Sequence, residues 1–597
     1  MAKKYIDVMD TTFRDGFQSV FGGRVLMDDF FPAVEAAKNA GINHFEFGGG
    51  ARFQSLYFYL QEDAFLMMDR FREIVGPDAN LQTLSRGINT VMLDTGSREL
   101  VDLHAKMFKK HGTTTIRNFD ALNDVNNLAY SASCIKKHGL QHEAVITMMD
   151  LPPGCKGAHG VDFYEKTLRN MLDAGIEFDS LCFKDASGTA NPNKVFETIS
   201  MARKILGEDV HLRLHTHETA GVSVASYLAA LEAGANGIDM AASPVSGGTS
   251  QPDILTMLHA TKGTNYNLGD LELTKILKYE ERLKECLADY QIPPEATQVS
   301  PLIPFSPMPG GALTANTQMM RDSGNLDKFD EVILAMKEVV ERGGYGTSVT
   351  PVSQFYWQQA YANVMFGDWK QIAPGYGRMV LGYFGKTPVE PDAEIVKLAS
   401  EKLKLEPTTG NPLDLADKEV TKSIAYWTKV LEDENIKTTE ENIFIAAACD
   451  QKGIAFLKGE GPLMVRKGEN KNCGEDKEMS GNYTVVVDGK QYSVQVAEGD
   501  ADIQITPSTA PAVATPATPA PVAGGKGAEE ILSQTPGNVW KITKAVGDSV
   551  NEGDTIMILE AMKMEIDVVA TRAGTIRSIE VNTNDAVADG QLLATMD

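Results

Sequence analysis

The segment 163–183 reads FYEKTLRNMLDAGIEFDSLCF. Its first half, Phe163–Asp173, is an amphipathic helical stretch; after a break at Gly175, Ser180–Phe183 is a short apolar run of strand type. This alternation fills the front of the chain. Strand-like runs recur at Tyr5–Met9, His44–Phe47, Leu81–Leu84, Thr115–Phe119, Ala144–Met148, Ser180–Phe183, His211–Leu214 and Gly237–Met240. Helical stretches such as Phe31–Asn39 and Val222–Ala233 lie between most of them. Eight strands alternating with helices over about 250 residues predict an α/β chain built on a (β/α)8 TIM barrel. A doubly wound open sheet is the alternative that periodicity leaves open. No GxGxxG follows the first strand, which argues against a dinucleotide site.

Past the barrel region, 1–270, the pattern turns mainly helical over 271–470, as in Leu271–Tyr290, Lys328–Arg342 and Lys418–Glu434. It is expected to form a helical extension packed near the barrel. In 471–505 an Asp488-Gly489 pair flanked by alternating runs predicts a β-hairpin with a docking role. Residues 506–527, TPSTAPAVATPATPAPVAGGKG, cannot build a core and favour extended polyproline-like backbone. Such a tether spans roughly 60–70 Å at ~3.1 Å per residue. Residues 528–597 then repeat themselves. Gly537–Glu560 aligns without gaps on Gly574–Asp597, matching Gly537 with Gly574, Asp548 with Asp585, Val550 with Val587 and Gly553 with Gly590. Short β-branched runs broken by Gly, Asp and Asn predict a small pseudo-symmetric β-sandwich. Lys563, in EAMKM (560–564), falls at the connection between the copies.

At 597 residues the chain is too long for one ordinary core. A hydrophobic fraction of 43% with 23% charged residues reads as globular, and no run of eighteen apolar residues predicts a membrane span. The start, MAKKYIDVMDTTFRDG, has no apolar run of signal-peptide type. A net charge of −25 argues against nucleic acid, whose phosphates need clustered Lys and Arg. The six cysteines show no CxxC spacing, which fits reduced thiols in a cytoplasmic protein.

Barrel sites gather at the C-terminal ends of the strands, and several of those ends are polar. They read Arg14-Asp15-Gly16-Phe17-Gln18, Arg86-Gly87-Ile88-Asn89, Asp120-Ala121-Leu122-Asn123-Asp124, Lys184-Asp185-Ala186-Ser187-Gly188 and His215-Thr216-His217-Glu218. His215 and His217 are spaced i, i+2, so on a strand both imidazoles face one side. With Asp15 as carboxylate partner they suit a divalent zinc, manganese or cobalt ion. Two surface histidines, and a turn-capping Asp15, are the plainer alternatives. Lys184 ends an apolar run; burial would lower its pKa and open it to carbamylation by CO2, while a salt bridge to Asp185 or another carboxylate is the other reading. Arg14 and Arg86 are candidates for holding a carboxylate or an enolate oxygen, or for structural ion pairs. Thr314, in MPGGALT (308–314), taken alone reads as a helix cap.

Taken together, DTTFRDGFQS (10–19), SRGIN (85–89), NFDALND (118–124), FKDASG (183–188), HLRLHTHETAG (211–221), SGGTSQP (246–252), MPGGALT, VTPVSQ (349–354) and EAMKM resemble the carboxyltransferase components of pyruvate carboxylase and of oxaloacetate decarboxylase. The resemblance implies biotin carried covalently on Lys563 in a biotinyl domain. It implies a metal held by Asp15, His215, His217 and the carbamate of Lys184, with Gln18 and Arg86 holding a 2-oxo acid. Thr314 would relay a proton between biotin and the substrate methyl carbon. Pyruvate would lose that proton to become an enolate, which attacks CO2 to give oxaloacetate. Many members read RDAHQS where this chain has Gly16-Phe17 before Gln18, so the imidazole is gone, and Glu218 stands where others have Asp or Ala. RDGFQ is also similar to lyases of this barrel type that lack a biotin domain.

SGGTSQP looks more like the pyruvate carboxylases, so the leading expectation is the carboxyltransferase and biotin-carrier subunit of a two-subunit enzyme. The α subunit of a sodium-pumping oxaloacetate decarboxylase, whose other subunits are membrane proteins, is the alternative; a 2-oxoglutarate carboxylase subunit is a smaller one. An inactive biotin-carrier scaffold is the reading of a different class. Expected partners are a separate ATP-binding biotin carboxylase subunit, a biotin protein ligase and a small-molecule 2-oxo acid, with a homo-oligomeric assembly.

Overall fold

Eight parallel strands close into a barrel in chain order: β1 (Asp7–Asp10), β2 (His44–Gly49), β3 (Asn80–Ser85), β4 (Thr115–Asn118), β5 (Gln141–Thr147), β6 (Ser180–Asp185), β7 (His211–Thr216) and β8 (Gly237–Met240). The computed structural model describes residues 3–269, 271–468, 481–487, 490–496, 529–535, 537–561, 564–583, 585–588 and 590–597. Closure is made by β1 against β8, from Asp7 opposite Gly237 to Asp10 opposite Met240. That pairing removes the open-sheet alternative. Tyr5 falls outside the barrel: Lys4–Tyr5 pairs with Tyr266–Asn267 as a separate two-stranded ladder.

Alternation along the strands sorts side chains into two environments. Outward residues such as Phe45, Ile116, Leu181, Phe183, Leu214 and Ile238 are buried against the surrounding helices. Each such side chain contributes about 1.5–3 kcal/mol by leaving water. Some of the helices begin where a side chain satisfies a free N–H group: Asn191 Oδ1 accepts from Lys194 N at 3.0 Å, with Pro192 in the first helical turn. Inward residues are charged where many barrels use Val, Ile and Leu. Arg117 pairs with Glu143 and reaches Asp239 at 2.5 Å, and Arg213 reaches Asp239 at 3.0 Å. Buried pairs of this kind add little net stability, but removing one partner strands the other.

The helical extension does two jobs. Helices Leu273–Cys286 and Glu440–Leu457 join the barrel wall: Ile276, Tyr279 and Leu283 share its core, and Phe444 packs on Phe53, Phe65 and Phe108. Helices Phe329–Arg342 and Val352–Phe366 form a second core with Leu84, Phe119, Leu122, Val145 and Cys182, the apolar side chains at the barrel's C-terminal end. Polar seams pin this cap down. Thr347 N donates to Ala121 O at 2.8 Å, and Thr147 Oγ1 donates to Thr347 Oγ1 at 2.8 Å. The extension therefore roofs the end of the barrel where the polar strand ends lie.

Gly481–Val487 and Lys490–Val496 pair antiparallel, as the hairpin reading expects. Asp488, Gly489 and the 506–527 tether lie outside the described residues. At the C-terminus, eight short strands form two four-stranded sheets around Val539, Ile556, Leu559, Ile576, Leu593 and Met596. The repeat is copied down to its turns. Ala545 N donates to Asp548 Oδ2 at 2.8 Å, as Asn582 N does to Asp585 Oδ2 at 2.7 Å. Asn551 N donates to Asp554 Oδ2 and Ala588 N to Gln591 Oε1, both at 2.9 Å. Gly553 and Gly590 both take the left-handed φ, +85° and +74°, that these turns need. Strands Thr555–Ala561 and Met564–Val569 pair, with Ala561 opposite Met564. Lys563 itself lies outside the described residues.

Candidate active site

Parallel register places the first two groups. Lys184 on β6 is the Cα partner of His215 on β7, so both side chains leave the sheet side by side, with Nζ 2.7 Å from Nε2. His217 follows one residue past β7, and its Nε2 lies 3.1 Å from that of His215. After β1 the backbone makes a wide helical turn over Thr12–Gly16, which carries Asp15 inward. Asp15 Oδ2 then stands 3.2 Å from His215 Nε2, 3.3 Å from His217 Nε2 and 4.0 Å from Lys184 Nζ. The three candidate ligands and Lys184 are all buried.

The outer ring nitrogens fix the tautomers. His215 Nδ1 donates to Asp239 Oδ2 at 2.8 Å and His217 Nδ1 to the Thr249 carbonyl at 2.6 Å. Both Nε2 lone pairs therefore converge on Asp15. Ligand atoms about 2.0–2.2 Å from a shared ion stand about 3.0–3.5 Å apart, the spacing these three groups show. Electrostatics agrees with the chemistry of a donor set. Burial, and then the Lys184 charge, push the His215 imidazolium down, which favours the neutral ligand form. Burial alone would raise the Asp15 carboxyl, but Arg14 and the neighbouring cations outweigh it and hold it well below the usual range. Burial likewise lowers the Lys184 ammonium. Its carboxylate neighbour is Asp15 and not Asp185, which accepts instead from Ser187 Oγ at 2.8 Å and Ala190 N at 2.7 Å.

Above this cluster is a cavity lined by Arg14, Asp15, Gln18, Arg86, Lys184 and His217, with apolar walls from Leu84, Phe119, Pro309 and Val349. The two arginines differ. Arg14 is consumed by ion pairs, to Glu46 at 2.6 Å and Asp15 at 3.2 Å. Arg86 donates to the carbonyls of Val91 and Met92 at 2.5 and 3.0 Å, and has no carboxylate partner among the described residues. Burial and Arg14 push its guanidinium down to about 9, which leaves it charged at neutral pH. Gln18 Oε1 accepts from Arg52 N at 3.2 Å, which leaves its NH2 as the end to offer a ligand.

Other strand-end groups do not reach the cavity. Asp120 accepts from Leu122 N and Asp124 N at 3.0 and 2.9 Å, and so builds its own turn. Thr314 is no helix cap. It is the fifth residue of helix Gly310–Asp322, buried, with Oγ1 3.4 Å from Thr249 Oγ1. Phe17 turns away into the barrel wall and packs edge-on against Phe13 and Phe30. Four residues escaped the sequence reading: Glu46 and Asp239, on strands whose ends went unread, and Thr249 and Gln251, inside SGGTSQP. Gln251 Nε2 donates to Asp15 Oδ2 at 2.9 Å and lies 3.0 Å from His217 Nε2.

Comparison with known proteins assigns these parts. Residues 132–280 match an HMGL-like family model, 303–500 a conserved carboxylase domain and 530–596 a biotin-requiring enzyme domain. The chain is 31% identical over 574 residues to the pyruvate carboxylase B subunit of Methanocaldococcus jannaschii, covering 94% of each. It is 30% identical over 466 residues to the methylmalonyl-CoA carboxyltransferase 5S subunit of Propionibacterium freudenreichii subsp. shermanii, covering 77% of this chain and 89% of that one. In fold it is similar to the carboxyl transferase domain of Rhizobium etli pyruvate carboxylase, with TM-score 0.69 and 22% identity over 83% of this chain and 89% of that one. Barrel, cap and C-terminal sandwich thus define a biotin-dependent carboxyltransferase, an enzyme with covalent biotin and a divalent metal. Within that class, the chain belongs to the family of pyruvate carboxylase B subunits.

Proposed function

We propose that the barrel mouth moves a carboxyl group between biotin on Lys563 and pyruvate, forming oxaloacetate. The observation that carries the substrate class is Arg86, a buried cation facing a small cavity with no carboxylate of its own among the described residues. Such a group is costly to keep unless an anion visits it. A 2-oxo acid supplies that anion and sets its ketone within reach of the Gln18 NH2. Asp15, His215, His217 and Lys184 would hold the metal. When bound, the ion supplies Lewis-acid polarisation of the ketone, and biotin supplies the carboxyl carrier.

The chain's own residues do the rest. Arg86 and Gln18 orient the acid, while Leu84, Phe119 and Val349 keep water from the methyl carbon. Arg14, tied to Glu46 and Asp15, acts through Asp15 instead of through substrate. Lys184 as its neutral amine adds CO2 and loses a proton to give a carbamate, a fourth donor beside His215 and, after Asp15, the second anionic one. Thr314 carries a proton between substrate and cofactor. A separate ATP-binding biotin carboxylase subunit charges the biotin, and a biotin protein ligase attaches it. The sodium-pump alternative is not favoured.

The test is reconstitution. Biotinylated protein with a biotin carboxylase subunit, ATP, bicarbonate and pyruvate is expected to form oxaloacetate. Arg86→Ala is expected to raise KM for pyruvate by about 10–100-fold, the loss of a charge-assisted pair worth about 1.5–3 kcal/mol. An unchanged KM would refute the assignment of Arg86.

A further inference from the structure

Thr249 stands at a junction that no assigned role explains. Its carbonyl accepts the His217 Nδ1 proton at 2.6 Å, and so points that ring's Nε2 at Asp15. Its hydroxyl lies 3.0 Å from Ser19 O and 3.2 Å from Ala296 O, and both are pure acceptors. The single hydroxyl hydrogen is therefore spent on backbone. Toward Thr314, 3.4 Å away, Thr249 can only accept, so Thr314 donates. The helix carrying Thr314 is seated directly on the same residue. A Cβ built on Gly310 would fall 1.6 Å from Thr249 O, whereas one on Gly311 would make only ordinary contact, 3.4 Å from Gln18 O. Gly310 is required for close approach, not for an unusual φ.

We infer that Thr249 is a positioning residue that couples the two halves of the site, its carbonyl holding metal ligand His217 and its hydroxyl holding the rotamer of Thr314. The inference rests on the proposed proton relay by Thr314. A long, weak bond fits such a role, because it sets where the Thr314 oxygen sits yet is readily exchanged for a bond to an incoming partner.

Two measurements test it on the full chain. The first reads the metal alone. With Co2+ as probe, Gly310→Ala must displace either its helix or the Thr249 carbonyl. It is expected to shift the visible bands and speed Co2+ loss to a chelator by about tenfold, the usual effect of losing an outer-shell partner. Gly311→Ala should leave both unchanged. Equal behaviour of the two variants would overturn the carbonyl half. The second is a double-mutant cycle on oxaloacetate decarboxylation. Thr249→Val is expected to lower kcat about tenfold with KM within about twofold, while Thr249→Ser recovers most of it. In a Thr314→Ala background Thr249→Val should add nothing. Thr249→Ala replaces it should the valine variant lose its fold or its Co2+. Additive losses, or a silent Thr249→Val beside an inactive Thr314→Ala, would overturn the coupling and leave the relay standing. Full activity in Thr314→Ala would sink the relay and the coupling together.

Discussion

At the scale of single residues, the proposed metal cluster of Asp15, His215 and His217 depends on groups that would not touch an ion. Asp239 accepts from His215, Arg117 and Arg213 together, and those charges hold its carboxyl well below the usual range although burial opposes them. Asp239→Asn can present its amide NH2 to His215 and reverse the tautomer. The expected result is a 10–100-fold weaker metal affinity, measured by chelator competition. Glu143→Gln is the control, because Glu143 pairs with the same arginines without touching His215. Equal losses in both would reduce Asp239 to charge balance. Phe17 makes the opposite point. Restoring an imidazole there places a polar ring among Phe13, Phe21 and Phe30, so Phe17→His is expected to cost about 2–4 kcal/mol in denaturant unfolding and to recover no catalysis. The sequence could flag the departure at this position; only the fold shows that it faces the wall. Asp15 and Lys184 were legible as charged groups at strand ends, and His215 and His217 by their i, i+2 spacing at another. Gln251, Thr249 and Glu46 were not, since a neutral side chain or a lone carboxylate on another strand carries no local signal until the barrel closes around it.

At the scale of elements, the barrel strands were legible from their apolar runs, because outward faces need packing against helices and therefore repeat. What the pattern could not give is which helices belong to which layer. Leu273–Cys286 reads as the start of a separate helical part, yet its Ile276, Tyr279 and Leu283 complete the barrel wall. The same helix carries Glu280, whose carboxyl is raised to about 8, first by burial and then by Asp253, the cap residue of helix Ile254–Ala260. An acid with a raised folded pKa binds its proton more tightly in the native state. Stability therefore falls as pH rises from the ordinary value of 4.5 to about 8, and levels off above. Glu280→Gln should remove that slope. Its melting temperature is expected to exceed wild type at pH 8 by several degrees, at about 2–4 °C per kcal/mol for large domains, and to match it near pH 5. A difference independent of pH would mean that the Glu280 carboxyl is not what titrates.

At the scale of the molecule, the charged barrel interior and the apolar sandwich answer to different stabilisers. The sandwich is held by its own core, Val539, Ile556, Leu559, Ile576, Leu593 and Met596, and by turns that the repeat duplicates. The barrel instead gathers Asp15, His215 and His217 at one point with Lys184 beside them, and a cation that binds only this folded arrangement stabilises it by mass action. At a free metal concentration of about 100 times Kd that term is about 2.7 kcal/mol. Calorimetry of the full chain is therefore expected to show a barrel transition that moves down by several degrees on chelation, and a sandwich transition that does not move. Lys563→Ala should abolish avidin capture while leaving both transitions in place, since an attachment lysine stabilises neither core. A sandwich transition that followed the chelator would mean that the two cores unfold as one, against the independent biotinyl domain that the 506–527 tether predicts.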